Sequence, residues 1–551
     1  MTSLTPDELR IVPLGGLGAI GMNCLALEHS SGIVVVDCGS SFPNDDHGVD
    51  VIRPDFTYLV ERRDRVRGLF LTHGHEDHIG AIPYLLREMR LPIWASRHAL
   101  GLVRRRLAEH PIDASTLDFR IARPKERYSV GPFEIEPVHV AHSIVEATAL
   151  VLRSSAGTVV HTGDFDFDPD PPDGEPTDEE RLAEVGRQGV RLLLSDSTNV
   201  DTPAPAGSER GVGSAIERHV SDATGLVVVA LFASNVQRLM LLGEIARRSG
   251  RKICLLGRSL SGQVEVARGI GRLCWPSNLT VSVEQVRDLP RQSVLVLAGG
   301  TQGEAASALY RLAHGTHRWV EIEPGDTILF SSRTIPGNEL AVHDLVCSLL
   351  RLGARVYDRL SDPQLHKSGH ASRAEQQRML ELLRPDSFIP IHGTLHHLMK
   401  HADVAASAGV KHCQVVENGS TVRLHSDGLE IAGAVPSGRV CVELGGKDLP
   451  HEILDERRQI GRRGIVLVSL VMDRRGRLVG PARITAKGLP AYQGARAEER
   501  NLAREVARAF ESARRHGLSF EEGVRRAVRR SIIDITGCRA CIEVHTHQLD
   551  E

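Results

Sequence analysis

Leu71-Thr72-His73-Gly74-His75-Glu76-Asp77-His78-Ile79-Gly80 sets three imidazoles and two carboxylates within six residues, directly after an apolar run. The run 68–72 reads as a buried strand, so the cluster stands where the chain leaves a sheet. Residues two apart in an extended segment point the same way, so His73 and His75 can grip one ion. Asp77 and His78, at the turn into a following helix, can face an adjacent ion. A solvated polar run has no reason to gather so many imidazoles behind a buried strand, whereas imidazole and carboxylate are ordinary metal ligands.

Two ions need more ligands, and the chain offers them after other β-rich stretches: His142 in Val140-Ala141-His142-Ser143-Ile144, Asp164 in His161-Thr162-Gly163-Asp164-Phe165, and His392 in Pro390-Ile391-His392-Gly393. A set of imidazoles and carboxylates without thiolates suits zinc or manganese. A carboxylate such as Asp164 can bridge two cations and lower their mutual repulsion.

The chain around these residues has 551 positions, enough for about three domains. Its 41% hydrophobic and 25% charged residues fit a soluble globular protein with a sizeable core. Lys and Arg number 67 against 70 Asp and Glu, a net charge of −3, which excludes a histone-like binder but leaves room for a local basic groove. No basic start with an apolar run and no stretch of about 18 apolar residues stands out, so a cytoplasmic protein with no membrane association is expected. Nine scattered cysteines fit reduced thiols in such a compartment.

Short β-rich runs at 33–36, 157–161 and 191–194 read as strands, and the Pro-, Asp- and Gly-rich 168–180 as a loop. From about 207 the rhythm changes. Strand-like runs at 226–232, 252–256, 293–297 and 327–330, with amphipathic helices at 235–248 and 338–352, predict a parallel sheet with helices on its faces. After 354–358 come a helix at 372–383, a strand at 387–391 and a helix at 396–408. A Gly-containing break at 437–447 reads as a linker. The tail holds a basic run at 457–463, a strand at 465–472, an Arg-rich helix at 497–516 and a last strand at 542–546. Gly16-Leu17-Gly18-Ala19-Ile20-Gly21 matches a dinucleotide fingerprint, but that site needs a helix to open at the glycines. Here 22–28 is short and a strand follows at once, so a strand, a glycine turn and a returning strand are predicted.

His73-x-His75-x-Asp77-His78 with Asp37, His142 and Asp164 resembles the metallo-β-lactamase fold. Asp196 in Leu194-Ser195-Asp196-Ser197-Thr198-Asn199, His370 in His366-Lys367-Ser368-Gly369-His370-Ala371, and His392 look like the three later motifs of the β-CASP group of nucleic-acid hydrolases. Pro13-Leu14-Gly15-Gly16-Leu17-Gly18, Phe232-Ala233-Ser234-Asn235, Thr301-Gln302-Gly303-Glu304 and Ile335-Pro336-Gly337-Asn338-Glu339 resemble segments of the ribonuclease J family. The fold so implied is α/β: a metallo-β-lactamase αββα sandwich from 1–206 and 354–435, an inserted β-CASP βα domain at 207–353, a linker at 436–450 and a small C-terminal α+β domain at 451–551.

The resemblance implies a metal-dependent ribonuclease, a 5′→3′ exonuclease with endonuclease capacity, acting in RNA processing and decay, including rRNA processing. A histidine at the third motif goes with RNA substrates. By the same resemblance His73, His75 and His142 hold one divalent ion and Asp77, His78 and His392 the other, with Asp164 bridging. Zinc is the first expectation, with manganese or magnesium as alternatives. Asp37 would orient a ligand imidazole, and Asp77, Asp196 and His370 would be catalytic. Ser234, Asn235, His366, Ser368, Gly369 and His370 are the substrate-binding set, a pocket for the 5′-monophosphate of single-stranded RNA. Hydroxyl, amide and backbone N–H donors suit phosphate oxygens, although Ser234-Asn235 also reads as a plain helix N-cap; the two roles are compatible. A homodimer or homotetramer is implied as well.

Five positions depart from the family's usual pattern: Ala19 where a carboxylate is usual, Thr394 for a common Glu, Val145-Glu146 for Pro-Asp, and Asp166 for a basic residue. They keep open a catalytically weak RNA-binding paralogue, beside another hydrolase of the fold acting on a thioester or lactone. Other features carry less. The basic run and the Arg-rich helix fit phosphate contacts, dimerisation or a solvated face with i,i+4 pairs. Cys538-Arg539-Ala540-Cys541 with His545 and His547 fits a zinc site only loosely. At 4% aromatic content, base stacking cannot be widely used.

Overall fold

Strands apolar on both faces belong inside a layered sandwich, and Leu9–Gly15, Cys24–His29 and Gly32–Val36 are buried along their whole length. The structure, a computed structural model, describes residues 3–43, 47–205, 207–489, 496–516 and 519–549. The first sheet has eight strands, in the order Gly428–Ala434, Ser420–His425, Leu9–Gly15, Cys24–His29, Gly32–Val36, Val66–Phe70, Ile93–Ala95 and Phe119–Ile121. The second has seven: His412–Cys413, Ser387–Ile391, Leu192–Asp196, Gly157–His161, Thr148–Ser154, Phe133–His139 and Tyr128–Val130.

Ile11, Leu27, Val34 and Phe70 of the first sheet meet Phe133, Leu150, Leu192 and Ile389 of the second, none more than 2% exposed. Each side chain buried to this degree contributes about 1.5–3 kcal/mol. Leu182, Val185, Met379, Leu383 and Ala405, from the helices Glu179–Gln188, Arg373–Leu383 and Leu395–Ser407, cover the outer face of the second sheet. The helix Arg97–Leu107 lies against the edge of the first. Two facing sheets with helices outside them are in keeping with the αββα sandwich that the resemblance implies.

Both sheets are completed by strands beyond residue 386, so the chain between is an insertion. It folds as a six-stranded, all-parallel sheet in the order Thr280–Val281, Lys252–Leu256, Val294–Ala298, Val227–Leu231, Thr327–Ser331 and Arg355–Tyr357. Alternation sends Val227, Val229, Leu295 and Leu297 to one face, against Ile216, Leu239 and Leu242. Val228, Ala230, Val296 and Ala298 face Leu309, Leu312, Leu345 and Leu349 on the other. The sheet runs past the boundary expected at 353, because Arg355–Tyr357 pairs in parallel with Thr327, Ile328 and Leu329; three residues are too few to assign to a sheet by pattern alone.

The glycine stretch near the N-terminus is a turn, with Leu9–Gly15 and Cys24–His29 antiparallel on either side. Gly16 sits at φ +89°, and a Cβ there would fall 2.3 Å from Asn23 Oδ1. The loop expected over 168–180 gives way at Glu179, where Asp178 caps the helix Glu179–Gln188. Within the expected linker at 436–450, Arg439–Val442 and Asp448–Leu449 form short antiparallel strands, because Cys441 and Val442 pair with Leu449 and Asp448 across a tight turn.

A second unit comprises Asp45–Asp50 and Cys441–Glu551. Its sheet runs Arg483–Lys487, Ile465–Met472, Cys541–Gln548. Val466, Val468 and Leu470 pack against Leu502, Val506 and Phe510 of the helix Arg496–Arg515 and against Val524, Val528 and Ile532 of Phe520–Thr536. No element is predicted from the sequence for 517–541, so the second of these helices corrects that reading. Its apolar residues recur every four positions between arginines, with Ser519 capping one end and Gly537 closing the other in the left-handed region. Cys541, His545 and His547 lie on the last strand; Cys541 and His545 are about 13 Å apart along it, too far to share an ion. Among the described residues no helix is long and apolar enough to cross a membrane.

Candidate metal centre

In sheets of this kind the crevice lies beyond the C-terminal strand ends, and there the polar residues gather. His73 follows Val66–Phe70, Asp37 follows Gly32–Val36, His142 follows Phe133–His139, Asp164 follows Gly157–His161, Asp196 ends Leu192–Asp196 and His392 follows Ser387–Ile391. Asp37 and His392 hold left-handed backbones, φ +59° and +52°, rare for residues with a Cβ and kept only where surroundings dictate them.

His73 Nε2 and His142 Nε2 each lie 3.1 Å from His75 Nδ1. Asp164 Oδ2 stands 3.6 Å from His73 Nε2 and 3.8 Å from His142 Nε2. Ligands about 2.0–2.1 Å from a tetrahedral zinc are about 3.3 Å from one another, so this set has the spacing of an ion's coordination sphere. The same Asp164 Oδ2 is 3.2 Å from His78 Nε2, while Asp77 Oδ2 lies 3.2 Å from His392 Nε2 and 3.6 Å from His78 Nε2. His73, His75, His142 and Asp164 thus form one group, and Asp77, His78, Asp164 and His392 another, with ligand atoms inside each no more than 4.8 Å apart. Asp164 belongs to both. A third overlapping group adds Asp196 and His370, whose Nδ1 and Oδ2 are 2.8 Å apart.

The imidazoles are held from behind. Asp37 accepts from Thr72 N and Thr72 Oγ1, both at 2.8 Å, and faces His78 Nδ1 at 2.8 Å, which turns His78 Nε2 inward. His142 Nδ1 donates to Gly369 O at 2.5 Å, and Thr72 Oγ1 lies 3.0 Å from His73 Nδ1. Outer partners of this kind fix tautomer and ring orientation in metal sites.

Burial decides part of the electrostatics. It keeps His73 and His75 well below the ordinary imidazole pKa and His142 down at about 4, so all three are neutral and have lone pairs to offer. At His392 and His78 burial is outweighed: Asp164 and Asp77 lift His392 to about 10, and with Asp37 they hold His78 well above its usual range. Against burial, His392 and His78 hold Asp164 well below the carboxylate range. A buried pocket that draws protons onto two of its imidazoles is one that demands positive charge. Neutral nitrogens on one side and ionised carboxylates on the other are a donor set that fits two divalent cations.

The substrate-binding candidates divide. Asn235 caps the next helix, its Oδ1 accepting from Arg238 N at 2.9 Å, and its Nδ2 donates one hydrogen to Glu209 Oε1 at 3.3 Å. Its amide carries a second N–H beside the one given to Glu209. Arg238, 1% exposed, pairs with Glu209 and reaches His366 Nδ1 at 3.3 Å, joining the Ser234-Asn235 turn to the 366–370 loop. Removing one partner of such a buried pair would cost about 3–5 kcal/mol. Ser368 Oγ accepts from His370 N at 3.2 Å, and a Cβ on Gly369 would press within 2.9 Å of Ser143 N. Ser234 and His370 are half-buried.

The departures have physical counterparts. Asp166 is buried beside Lys367, in the 366–370 loop, and burial lifts it to about 6 despite that cation. Asp166 thus has a cationic partner on the 366–370 loop. Glu146, at φ +60°, accepts from His98 N at 2.9 Å and from Arg272 Nε at 3.0 Å. Ala19 bridges Gly393, and Thr394 begins the helix Leu395–Ser407 with its Oγ1 3.1 Å from His397 Nδ1. No departure occupies a position in the three groups.

Asn23 escaped the sequence reading, although its Nδ2 lies 3.0 Å from His78 Nε2 and donates to Asp77 O at 3.1 Å. Its place two residues beyond the glycine turn was the available signal: Leu17-Gly18 pairs with Gly393-Thr394, which brings that turn against the His392 loop.

Family models match along most of the chain: the metallo-beta-lactamase superfamily over 17–226, the ribonuclease J beta-CASP domain over 224–349, a Zn-dependent metallo-hydrolase RNA specificity domain over 364–416 and the ribonuclease J C-terminal domain over 452–548. A ribonuclease J of Helicobacter pylori is 35% identical over 504 residues, 91% of this chain and 72% of the relative. That of Synechocystis is 38% identical over 490 residues, 88% and 76% of the two chains, and that of Sinorhizobium meliloti 36% over 550, 98% and 97%. A crystal structure of a protein of unknown function from Enterococcus faecalis superposes with a TM-score of 0.53 over 76% of this chain and all of that one, at 15% identity, a likeness of fold alone.

Proposed function

This chain belongs to the ribonuclease J family, and on that premise we propose that it degrades single-stranded RNA stepwise from a 5′-monophosphate end, with internal cleavage as a second mode. It is a metal-dependent ribonuclease, a hydrolase of RNA phosphodiester bonds. The observation that carries this reading is the convergence of ligand atoms from six separate stretches of chain on one pocket, with Asp164 common to every group. His73, His75 and His142 would hold one ion and Asp77, His78 and His392 the other, with Asp164 between them. Zinc is the metal we propose, with manganese or magnesium as substitutes. Bound there, divalent cations lower the pKa of water and neutralise charge on phosphoryl oxygens.

The chain's own groups do the rest. Asp37 and Gly369 O keep two ligand rings aimed. Against burial, Asp196 raises the pKa of His370 and binds its Nδ1 at 2.8 Å, so the ring holds a proton and keeps Nε2 free to donate to a departing oxygen. The Ser234 hydroxyl and the backbone amides of 234, 368 and 369 are the donors we assign to the 5′-phosphate. The enzyme is proposed as cytoplasmic and as a dimer or tetramer, as the family resemblance implies.

The test compares RNAs that differ only at the 5′ end. Charge-assisted hydrogen bonds to one phosphate are each worth about 1.5–3 kcal/mol, so the 5′-monophosphate substrate is expected to release mononucleotides about 10–100-fold faster than its triphosphate or hydroxyl counterpart. A DNA strand of the same sequence serves as control. Equal rates on all RNA ends would remove the 5′-phosphate pocket, and equal cleavage of the DNA would remove RNA as the preferred substrate.

A further inference from the structure

The inserted domain grips the loop that carries His142 at three points. Gln237, in the first turn of the helix Val236–Arg248 and 2% exposed, donates from Nε2 to the main-chain oxygen of His142 at 3.0 Å. Three residues beyond His142, Val145 is 2% exposed and packs in the apolar cluster that holds Val236 and Leu239. Glu146 then pairs with Arg272, which also reaches Glu175 Oε1 at 2.8 Å. The turn Ser234-Asn235, which opens the same helix, comes immediately before these contacts in sequence.

We propose that Gln237 is a positioning residue that ties the inserted domain to His142, so that one helix end aligns the pocket for the RNA 5′ end with the metal centre. The inference rests on His142 being a metal ligand, as set out above. The ring of His142 is already fixed at Nδ1 by Gly369 O, and Gln237 fixes the peptide from which the ring projects. Together they hold Nε2 at 3.1 Å from His75 Nδ1. Of the three grips, only Gln237 touches the ligand residue itself. A buried primary amide suits the task, because it presents a strong donor to a carbonyl without importing a charge into the site. Movement of the helix therefore moves the backbone of His142, and displacement of His142 shifts the helix end that faces the 5′-phosphate.

The test uses Gln237→Met, which keeps the volume and removes the donor, with Gln237→Asn as a second variant that keeps the amide but withdraws it by one methylene. Arg272→Met loosens the same contact between core and insertion without touching His142. Zinc affinity is read on the full-length protein by competition with a chromogenic chelator, beside kcat and KM on 5′-monophosphate RNA. Loss of an outer partner of a metal ligand costs about 10–100-fold in affinity or activity. Both Gln237 variants are expected to bind the zinc assigned to His73, His75 and His142 about 10–100-fold less tightly and to lose kcat in parallel, with KM changed less than about threefold. Arg272→Met is expected to keep zinc affinity within about twofold and only to lower the melting temperature. Wild-type zinc affinity in the Gln237 variants would overturn the proposal, as would an equal loss in Arg272→Met, which would mean general loosening. If the wild-type protein itself bound no zinc and cut no RNA, the fault would lie with the proposed function instead.

Discussion

An Asp77→Ala/His78→Ala double variant is expected to lose RNA hydrolysis by on the order of 10³-fold or more, because a catalytic cation supplies several kcal/mol of transition-state stabilisation. These residues provide half of one ligand group, and Asn23 Nδ2, 3.0 Å from His78 Nε2, offers only protons in their place. The fold is expected to survive. Asp37 keeps both bonds from Thr72 when the His78 ring is gone, so no buried carboxylate is left bare. The backbone ties of this turn do not depend on the side chains either; Asn23 N still donates to Asp77 O, and Cys38 N to His78 O, both at 2.8 Å. The measurement is mononucleotide release by the purified variant beside its thermal melting curve. Wild-type turnover would contradict the assignment of this group, and so would a variant still holding two cations per chain.

The second large effect is expected at His370. Its ring is 24% exposed, while its partner Asp196 is fully buried, so the imidazole faces the pocket from a fixed base. Asp196 in turn accepts from Thr198 N and Thr198 Oγ1 at 2.9 and 2.7 Å, which fixes the carboxylate. General acid assistance is worth about 10²–10⁴-fold, and His370→Ala is expected to fall by that factor in kcat while both cations stay bound. A substrate whose leaving atom is sulfur needs no proton at departure, so on that substrate the variant is expected to recover most of the loss. An unchanged defect on the sulfur substrate would assign His370 to charge stabilisation rather than to proton donation. Full activity on ordinary RNA would remove it from the mechanism.

Much of this site was legible because metal ligands obey local rules. His73, His75, Asp77 and His78 sit in one short motif at the end of a readable strand, and Asp164, His142 and His392 each follow a β-rich run. What pattern could not show was the outer layer. Asn23 lies in a glycine turn that matters only because Leu17-Gly18 pairs with Gly393-Thr394, more than 370 positions away. Gln237 reads as an ordinary residue near a helix start, and its partner is a main-chain oxygen 95 residues distant. Asn235 was named for its donors, and pattern did not show that its oxygen caps a helix while one N–H goes to Glu209.

The same division holds for the fold. Long apolar strands such as Val227–Leu231 and Val294–Ala298 announce themselves, since both faces are buried. Short edge strands such as Arg355–Tyr357 and Asp448–Leu449 do not, because their hydrogen-bond partners, not their composition, make them strands. The helix Phe520–Thr536 was masked by its arginines, although Val524, Val528 and Ile532 give it a continuous apolar stripe.

The most direct test is elemental analysis of the purified protein, freed of loosely held metal by gel filtration. Two divalent cations per chain are expected, falling to one in the Asp77→Ala/His78→Ala variant, whose His73, His75, His142 and Asp164 remain in place. A wild-type chain that carries none, or a variant that carries as many as the wild type, would contradict the binuclear centre.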